Sequence, residues 1–237
     1  MKLIKVKDYD TLSDKATEMV LQTIRENEQP ILGLATGSTP MKLYENLIHL
    51  YKNGDISFQN VLTYNLDEYV GLPPDHIGSY HYFMHEKLFD HIDIPLEQVY
   101  LPNGASNDPE AVCDDLEASL KKTGTIDLQV LGIGMNGHIG FNEPGTPFHS
   151  RSHVIKLEES TRQVNSRFFD KLADVPTHAI TMGLATIMEA KEIVLLVQGE
   201  KKADILREVV YGEVTEDVPG SVLKLHPNAT IITDIDL

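Results

Sequence analysis

Residues 128–144 of the chain read LQVLGIGMNGHIGFNEP, an apolar run that leads directly into a glycine-rich loop. The run at 128–133 predicts a buried strand, because strands covered on both faces of a sheet are continuously apolar. Three glycines within six residues of the loop permit tight turns and a close approach of a ligand to the backbone. His138 and Glu143 are five residues apart on this loop, and a histidine beside a carboxylate can transfer protons near neutral pH. The segment therefore predicts a strand that ends in a catalytic loop.

Helix and strand patterns alternate on both sides of this segment. Strands separated by helices of about 10 to 15 residues indicate βαβ units and a parallel sheet. We therefore predict an α/β fold with a Rossmann-like open, mainly parallel sheet and helices on both faces, formed by a single domain over residues 1–237. The predicted helices lie at about 10–26, 40–51, 79–89, 109–122 and 201–211, with a further one running through Phe169. The predicted strands lie at the N-terminus and at 30–35, 61–66, 99–101, 128–133, 153–157, 179–182, 192–197 and 230–233.

The glycine-rich loop has two alternative interpretations. Gly132, Gly134 and Gly137 have the spacing of a dinucleotide-binding fingerprint. That motif needs its third glycine to open a helix whose N-terminus holds the pyrophosphate, whereas Pro144 and Pro147 interrupt any such helix here. The other alternative is a simple turn that carries a surface histidine.

Composition and charge limit the partners. Of 237 residues, 41% are hydrophobic, and no apolar run approaches the roughly 20 residues of a transmembrane helix. The formal charge of −16 argues against nucleic acids and anionic membranes, because both are polyanions. The single cysteine, Cys113, excludes an internal disulfide and suits a reducing cytoplasm. We expect a cytoplasmic protein. We also expect no metal site, because we interpret the ten histidines as scattered along the sequence rather than clustered.

Two polar segments follow predicted strands, where open parallel sheets bind their ligands. Gly37, Ser38 and Thr39 precede a helix, and the free N–H groups and hydroxyls there suit a phosphate, with helix capping by Thr39 as the alternative. Asp67 and Glu68 follow the strand at 61–66. A carboxylate at this position suits a general base, although either acid could instead cap a helix or carry a solvated turn charge.

Basic candidates for an anion site are few. Lys202 lies in a Lys-Lys pair at a predicted helix start, where positive charge opposes the helix dipole unless an anion binds. Arg167 lies in the segment Asn165–Phe169, which reads NSRFF. For both side chains the alternative is an ordinary solvated surface charge.

With these segments in view, the chain resembles the glucosamine-6-phosphate deaminases. Two of the matching segments are highly specific: Asp-Glu-Tyr-Val-Gly from Asp67, and the histidine loop that ends in Phe-Asn-Glu-Pro at Pro144. The broader group includes phosphogluconolactonases and sugar-phosphate-binding regulator domains. The matching segments, in the order of that family, are 34–40, 65–72, 79–84, 132–144, 165–169 and 225–227.

The resemblance implies that glucosamine 6-phosphate and water give fructose 6-phosphate and ammonium. In that reaction His138 would open the sugar ring, Glu143 would orient the imidazole, and Asp67 would move hydrogen from C2 to C1. Such a base has to be ionised at neutral pH. Some family members have Asp where this chain has Asn136, which cannot carry a negative charge, so the third ring-opening group is expected only to orient His138.

The resemblance also implies a phosphate site and no cofactor. Gly37, Ser38, Thr39, Arg167 and Lys202 would bind the phosphate, since a guanidinium forms bidentate contacts and an ammonium acts as a point charge. No metal is expected, because the enolamine intermediate is stabilised through its own nitrogen.

Two rival functions remain open at this point. A lactonase would hydrolyse a sugar-phosphate lactone and would not need a base above C2. A non-catalytic sugar-phosphate sensor would usually carry a DNA-binding module, whereas this chain begins directly with the α/β pattern and is acidic.

The expected subtype is a monomer without allosteric activation. Regulated hexameric family members hold the phosphate of N-acetylglucosamine 6-phosphate with two basic residues after the Asn-Glu-Pro segment, and their chains continue well beyond the last sheet strand. Aligned from Glu143, those two positions fall on His153 and Ile155, neither of which is a permanent cation. The chain stops at Leu237, shortly after the last predicted strand.

Overall fold

The computed structural model describes residues 1–166 and 169–237. The predicted order of helices and strands is reproduced, with additions noted below. The strands are β1 Lys2–Lys5, β2 Ile31–Leu34, β3 Leu62–Asn65, β4 Asp67–Tyr69, β5 Val99–Tyr100, β6 Leu128–Leu131, β7 His153–Lys156, β8 His178–Thr181, β9 Glu192–Val197 and β10 Ala229–Thr233. The α-helices are α1 Tyr9–Glu26, α2 Met41–Lys52, α3 Tyr80–Lys87, α4 Pro109–Thr123, α5 Glu159–Asn165, α6 Leu184–Met188 and α7 Ala203–Tyr211.

Seven strands form one parallel sheet in the order β1-β10-β9-β6-β2-β3-β5. Its two faces bury different hydrophobic clusters: Leu195 of β9 packs on one side with α4 and α7, and Val194 on the other with α1 and α2. Because neighbouring residues of a strand point to opposite faces, both faces must be covered by helices. The predicted open, mainly parallel sheet is confirmed.

A second sheet was not predicted. Strands β4, β8 and β7 form a three-stranded antiparallel sheet, and β4 consists of residues that the sequence assigned to a loop. An Asp-Glu-Tyr triplet has no apolar alternation to mark it as a strand. Its pairing partner, β8, lies far along the chain, and Asp67 is opposite Thr181 in the register.

Four predicted boundaries were wrong by two residues or more. The helix expected at 79–89 ends at Lys87. The strand expected to reach Ile133 ends at Leu131, and the helix expected to run through Phe169 ends at Asn165. The helix expected from Lys201 begins at Ala203, after a 3₁₀ turn at Glu200–Lys202. The short helix α6 had no counterpart among the predictions.

Candidate active site

A cleft of ≈ 950 Å³ opens where β2, β3 and β6 end. This is the edge at which open parallel sheets bind ligands. The cleft is lined by the loop 35–39, residues 66–67 at the start of β4, parts of the loop 132–141, parts of helix α5 at 160–165, the segment 198–202 and Tyr80. A second cavity of ≈ 470 Å³ lies beside Arg151 and Glu117, and none of the predicted site residues that the structure describes line it. Arg167 lies outside the described residues.

The catalytic loop brings Asn136, His138 and Glu143 together. Asn136 Nδ2 donates a 2.8 Å hydrogen bond to Glu143 Oε2, and His138 Nδ1 lies 3.3 Å from the same oxygen. The latter approach is not aligned as a hydrogen bond, so Nδ1 stays unbonded within the described chain. Asn136 Oδ1 accepts from the backbone N–H of His138 at 3.3 Å. Asn136 therefore contacts the backbone of His138 through its side-chain oxygen and the carboxylate of Glu143 through its side-chain nitrogen.

Glu143 is almost fully buried, with 3% of its surface exposed. Burial alone would raise the pKa of this carboxyl group, but the neighbouring His138, Thr161 and Asn136 lower the pKa to about 2. The group is therefore ionised at neutral pH. A fixed negative charge beside an imidazole stabilises its protonated form.

Asp67 begins β4 and lines the cleft, although only 7% of its surface is exposed. No hydrogen bond reaches its carboxyl group from any part of the chain that the structure describes. Burial and the adjacent Glu68 raise the pKa of Asp67 to about 8. A base ionised at neutral pH was expected here, whereas in this structure the group is mostly protonated below about pH 8.

Glu68 has a different role from its neighbour. Its carboxylate accepts hydrogen bonds from the backbone N–H groups of Tyr80 at 3.0 Å and His81 at 2.8 Å, which are the first two residues of α3. Ser79 Oγ accepts from Tyr82 N in the same turn at 3.0 Å. The alternative of a helix-capping acid therefore applies to Glu68 but not to Asp67.

The loop at Gly37, Ser38 and Thr39 lines the cleft without capping helix α2. Gly37 has φ +97°, a conformation that favours glycine. Pro40 occupies the N-cap position with no side-chain hydrogen bond, so the alternative of helix capping by Thr39 is wrong. The hydroxyl of Tyr9 instead accepts from Lys42 N at 3.1 Å and donates to Thr39 O at 3.0 Å.

Lys202 also lines this cleft, directly before α7. Its Nζ donates a 2.6 Å hydrogen bond to the carbonyl oxygen of Ile133, just beyond β6. The ammonium is thus fixed at the carboxyl end of the sheet. This arrangement brings a cation into the same cleft as the Gly37–Thr39 loop.

Tyr80 is a cleft residue to which the sequence analysis assigned no role. Its ring stacks on Phe141 of the catalytic loop, with centroids 5.8 Å apart and planes 9° from parallel. It also packs against Tyr69 at 4.9 Å. The segment 79–84 was part of the resemblance, but nothing in its pattern showed that this ring reaches the cleft.

Two histidines of α3, His81 and His85, are four residues apart and therefore share one helix face. The interpretation of the histidines as scattered overlooked this pair. Their rings stack with centroids 4.6 Å apart, and His85 Nδ1 lies 2.8 Å from Asp90 Oδ1. Over residues 1–166 and 169–237, no group of three or more His, Cys, Asp or Glu side chains could hold a metal ion.

The helices of the described chain include none with both the length and the apolar character needed to cross a membrane.

Comparisons with known proteins agree on one family. The model of the family described as glucosamine-6-phosphate isomerases/6-phosphogluconolactonase matches residues 7–232. A glucosamine-6-phosphate deaminase of Oceanobacillus iheyensis is 52% identical over 99% of this chain and 94% of its own length. One of Thermoanaerobacter pseudethanolicus is also 52% identical, over 99% of this chain and 92% of its own length.

Solved structures give the same result. A monomeric glucosamine-6-phosphate deaminase is 45% identical and superposes with a TM-score of 0.97 over 98% of this chain and 97% of its own. A 6-phosphogluconolactonase of Thermotoga maritima has a TM-score of 0.76 at 18% identity, covering 98% and 96% of the two chains. At that identity the likeness shows the shared fold alone. The family model and the relatives that match nearly the full chain lead to one conclusion: the chain belongs to the glucosamine-6-phosphate isomerase/6-phosphogluconolactonase family.

Proposed function

We propose that this chain converts glucosamine 6-phosphate and water into fructose 6-phosphate and ammonium. The observation that carries the proposal is one cleft that presents a buried carboxyl group, Asp67, together with an imidazole, His138, backed by the ionised Glu143. Relatives at about half identity over nearly the full chain are deaminases of this substrate.

Ring opening is assigned to His138. The imidazole takes the proton from the O1 hydroxyl and delivers a proton to the ring oxygen, which gives the open-chain aldehyde. Glu143 stabilises the protonated imidazole, since its carboxylate lies 3.3 Å from Nδ1 and is ionised at neutral pH. Asn136 holds that carboxylate through its 2.8 Å hydrogen bond.

Proton transfer between C2 and C1 is assigned to Asp67. The ionised carboxylate removes the C2 proton, O1 of the aldehyde gains a proton and the 2-ammonium group loses one, which together give a neutral enolamine with a hydroxyl group at C1. The resulting carboxylic acid then protonates C1, and the nitrogen lone pair forms a protonated imine at C2. The product imine at C2 adds water and releases ammonium, which leaves the ketone of fructose 6-phosphate. Asp67 must lose its proton before it can act as a base, and the positive charge of the substrate's 2-ammonium group would favour that ionisation.

The phosphate is assigned to Gly37, Ser38, Thr39, Arg167 and Lys202. Of these, the four described residues line the cleft, and Arg167 is included on the sequence resemblance. The backbone N–H groups and hydroxyls of the loop and the fixed ammonium of Lys202 are donors suited to a dianion.

Replacing Lys202 by Ala should weaken binding of 6-phosphorylated sugars roughly tenfold or more, since a hydrogen bond to a charged group contributes about 1.5–3 kcal/mol. Unphosphorylated glucosamine should be almost unaffected. Arg207→Ala is the matched control, because Arg207 is an exposed cation that pairs with Asp204 away from the cleft. Calorimetric titration of both ligands checks this, and an equal loss for both would remove Lys202 from the phosphate site.

The proposed activity is tested by assaying the purified chain on two substrates. We expect ammonium release from glucosamine 6-phosphate and no comparable hydrolysis of 6-phosphogluconolactone. Lactone hydrolysis without ammonium release would assign the chain to the lactonases of its family. Binding of sugar phosphates without either reaction would favour the sensor.

The chain is further proposed to be a cytoplasmic monomer without allosteric activation. The structural relative at 45% identity is itself described as monomeric. His153 Nδ1 lies 2.8 Å from the carbonyl oxygen of Arg151, and Ile155 is apolar, so these two positions do not provide a pair of cations for a second phosphate.

Velocity should therefore depend hyperbolically on substrate concentration, and N-acetylglucosamine 6-phosphate should not change that curve. Activation requires an effector that binds one state more tightly than another. Steady-state kinetics with and without the effector provide the measurement. A sigmoidal curve that becomes hyperbolic on its addition would show that the interpretation of His153 and Ile155 is wrong.

A further inference from the structure

Glu68 connects the strand that carries Asp67 to the helix that carries Tyr80. Its Oε1 accepts from Tyr69 N at 2.8 Å and Tyr80 N at 3.0 Å, and its Oε2 accepts from His81 N at 2.8 Å. Both carboxylate oxygens are thus bonded to backbone donors of β4 and α3. A carboxylate that accepts charge-assisted bonds at a helix N-terminus is held in one position.

The connection extends to the catalytic loop. Tyr80 begins α3, and its ring stacks on Phe141, whose own ring lies 6.4 Å from that of His138. The start of α3 therefore determines where this aromatic wall of the cleft stands. A shift of the helix start would move the wall relative to Asp67.

Glu68 is enclosed as well as bonded, with 2% of its surface exposed. Gly104 covers it so closely that a Cβ there would lie 2.1 Å from Tyr69 O and 2.9 Å from Glu68 Cγ. Burial raises the pKa of Glu68 to about 7, and its three backbone donors oppose this rise without cancelling it. Those donors stabilise the charged form of Glu68. No hydrogen bond of the described chain stabilises the charged form of Asp67.

The other groups that face this pair do not neutralise it. Tyr69 lies on β4 itself, α3 contributes Tyr80 and His81, and β8 places the uncharged Thr181 opposite Asp67 and begins with His178. The catalytic loop adds His138 and the anionic Glu143, and the segment 102–106 has no titratable side chain. No Lys or Arg forms an ion pair with Asp67 or Glu68 among the pairs of the described chain. In the described part of the chain, the two adjacent carboxyl groups are thus buried without an ion pair to a Lys or Arg side chain, while Lys202 lines the same cleft as Asp67.

We propose that Glu68 is a positioning residue that fastens the strand of the base Asp67 to the helix of Tyr80 and, at and above neutral pH, places a negative charge next to that base. This inference rests on the proposed function, in which Asp67 is the base. The charge of Glu68 keeps the proton on Asp67 until a cationic group, the 2-ammonium of an amino sugar, enters the site. The pair thereby favours an amino sugar over a hexose 6-phosphate with an uncharged hydroxyl group at C2.

The test compares Glu68→Gln with Ser79→Ala. Both changes remove a cap of the same helix turn, but only Glu68 carries a charge beside Asp67. Carbon-13 NMR of labelled Asp and Glu carboxyl groups, assigned through Asp67→Asn, follows each titration directly. In Glu68→Gln the midpoint of Asp67 should fall by about one pH unit or more, as for two coupled sites, and in Ser79→Ala it should stay unchanged.

The coupling is also measured from the other side, in case Glu68→Gln does not fold. Asp67→Asn should lower the titration midpoint of Glu68, because the interaction between two sites is reciprocal.

In Glu68→Gln the acidic limb of the kcat/KM profile should move to lower pH, while kcat falls and KM changes less. The preference for glucosamine 6-phosphate over glucose 6-phosphate in binding should also decrease.

Equal pH profiles for Glu68→Gln and Ser79→Ala, or midpoints of Asp67 and Glu68 that do not respond to each other, would overturn the inference and reduce Glu68 to a helix cap. The proposed function fails by a different result. A wild-type chain that releases no ammonium would refute the deaminase activity even when the NMR coupling between the two carboxyl groups is present.

Discussion

Asp67→Asn should lower the rate of ammonium release from glucosamine 6-phosphate by at least about 10²-fold, the low end for the loss of a general base. An amide cannot accept the C2 proton, whereas it preserves the shape of the side chain at the start of β4. Folding and sugar-phosphate binding should therefore remain. Deuterium exchange at C2 in D₂O, followed by proton NMR, should disappear together with deamination.

The matched control is Asp114→Asn, an exposed aspartate of α4 outside the cleft. It should keep both the exchange and the deamination of the wild type. Near-normal deamination by Asp67→Asn would remove this residue from the role of base, and a loss of sugar-phosphate binding along with activity would indicate a structural role instead.

His138→Gln should impair ring opening more than the later proton transfer. The imidazole faces the cleft and contacts Glu143, but Asp67 acts on the open-chain form that ring opening produces. We expect a loss on the cyclic substrate of about 10²-fold or more. A 5-deoxy analogue of the substrate, which cannot form the pyranose ring, should keep much more of its rate.

His149→Gln is the control for this variant, because His149 is exposed and lies outside the cleft lining. Its kinetics on both compounds should match those of the wild type. If His138→Gln lost the same factor on the cyclic substrate and on the 5-deoxy analogue, His138 would belong to a step that follows ring opening.

The parallel sheet could be predicted because β2 and β9 are short apolar runs. A strand that helices cover on both faces of a sheet is continuously apolar. It also placed the polar loops at the correct edge, since that edge follows from the strand direction. Strand β4 was missed for the opposite reason. The pairing of Asp67 with Thr181 depends on a distant segment, and no local pattern indicates it.

The division of roles between Asp67 and Glu68 could not be read from two adjacent acids. It depends on where α3 begins relative to β4, which brings Tyr80 N and His81 N to one carboxylate and leaves the other in the cleft. The protonation of Asp67 likewise depends on burial, a property of the tertiary structure. The pair His81 and His85, by contrast, was visible in the sequence as a four-residue spacing.

The most direct test of the account is a crystal structure of the chain with 2-amino-2-deoxyglucitol 6-phosphate, an open-chain analogue that cannot react because it lacks the aldehyde. The account predicts C1 and C2 within about 3.5 Å of an Asp67 carboxyl oxygen, a distance suited to reaction. O1 should lie near His138, and the phosphate should lie against the Gly37–Thr39 loop and Lys202. A complex with the phosphate beside Glu143, or with C2 out of reach of Asp67, would contradict the proposed mechanism.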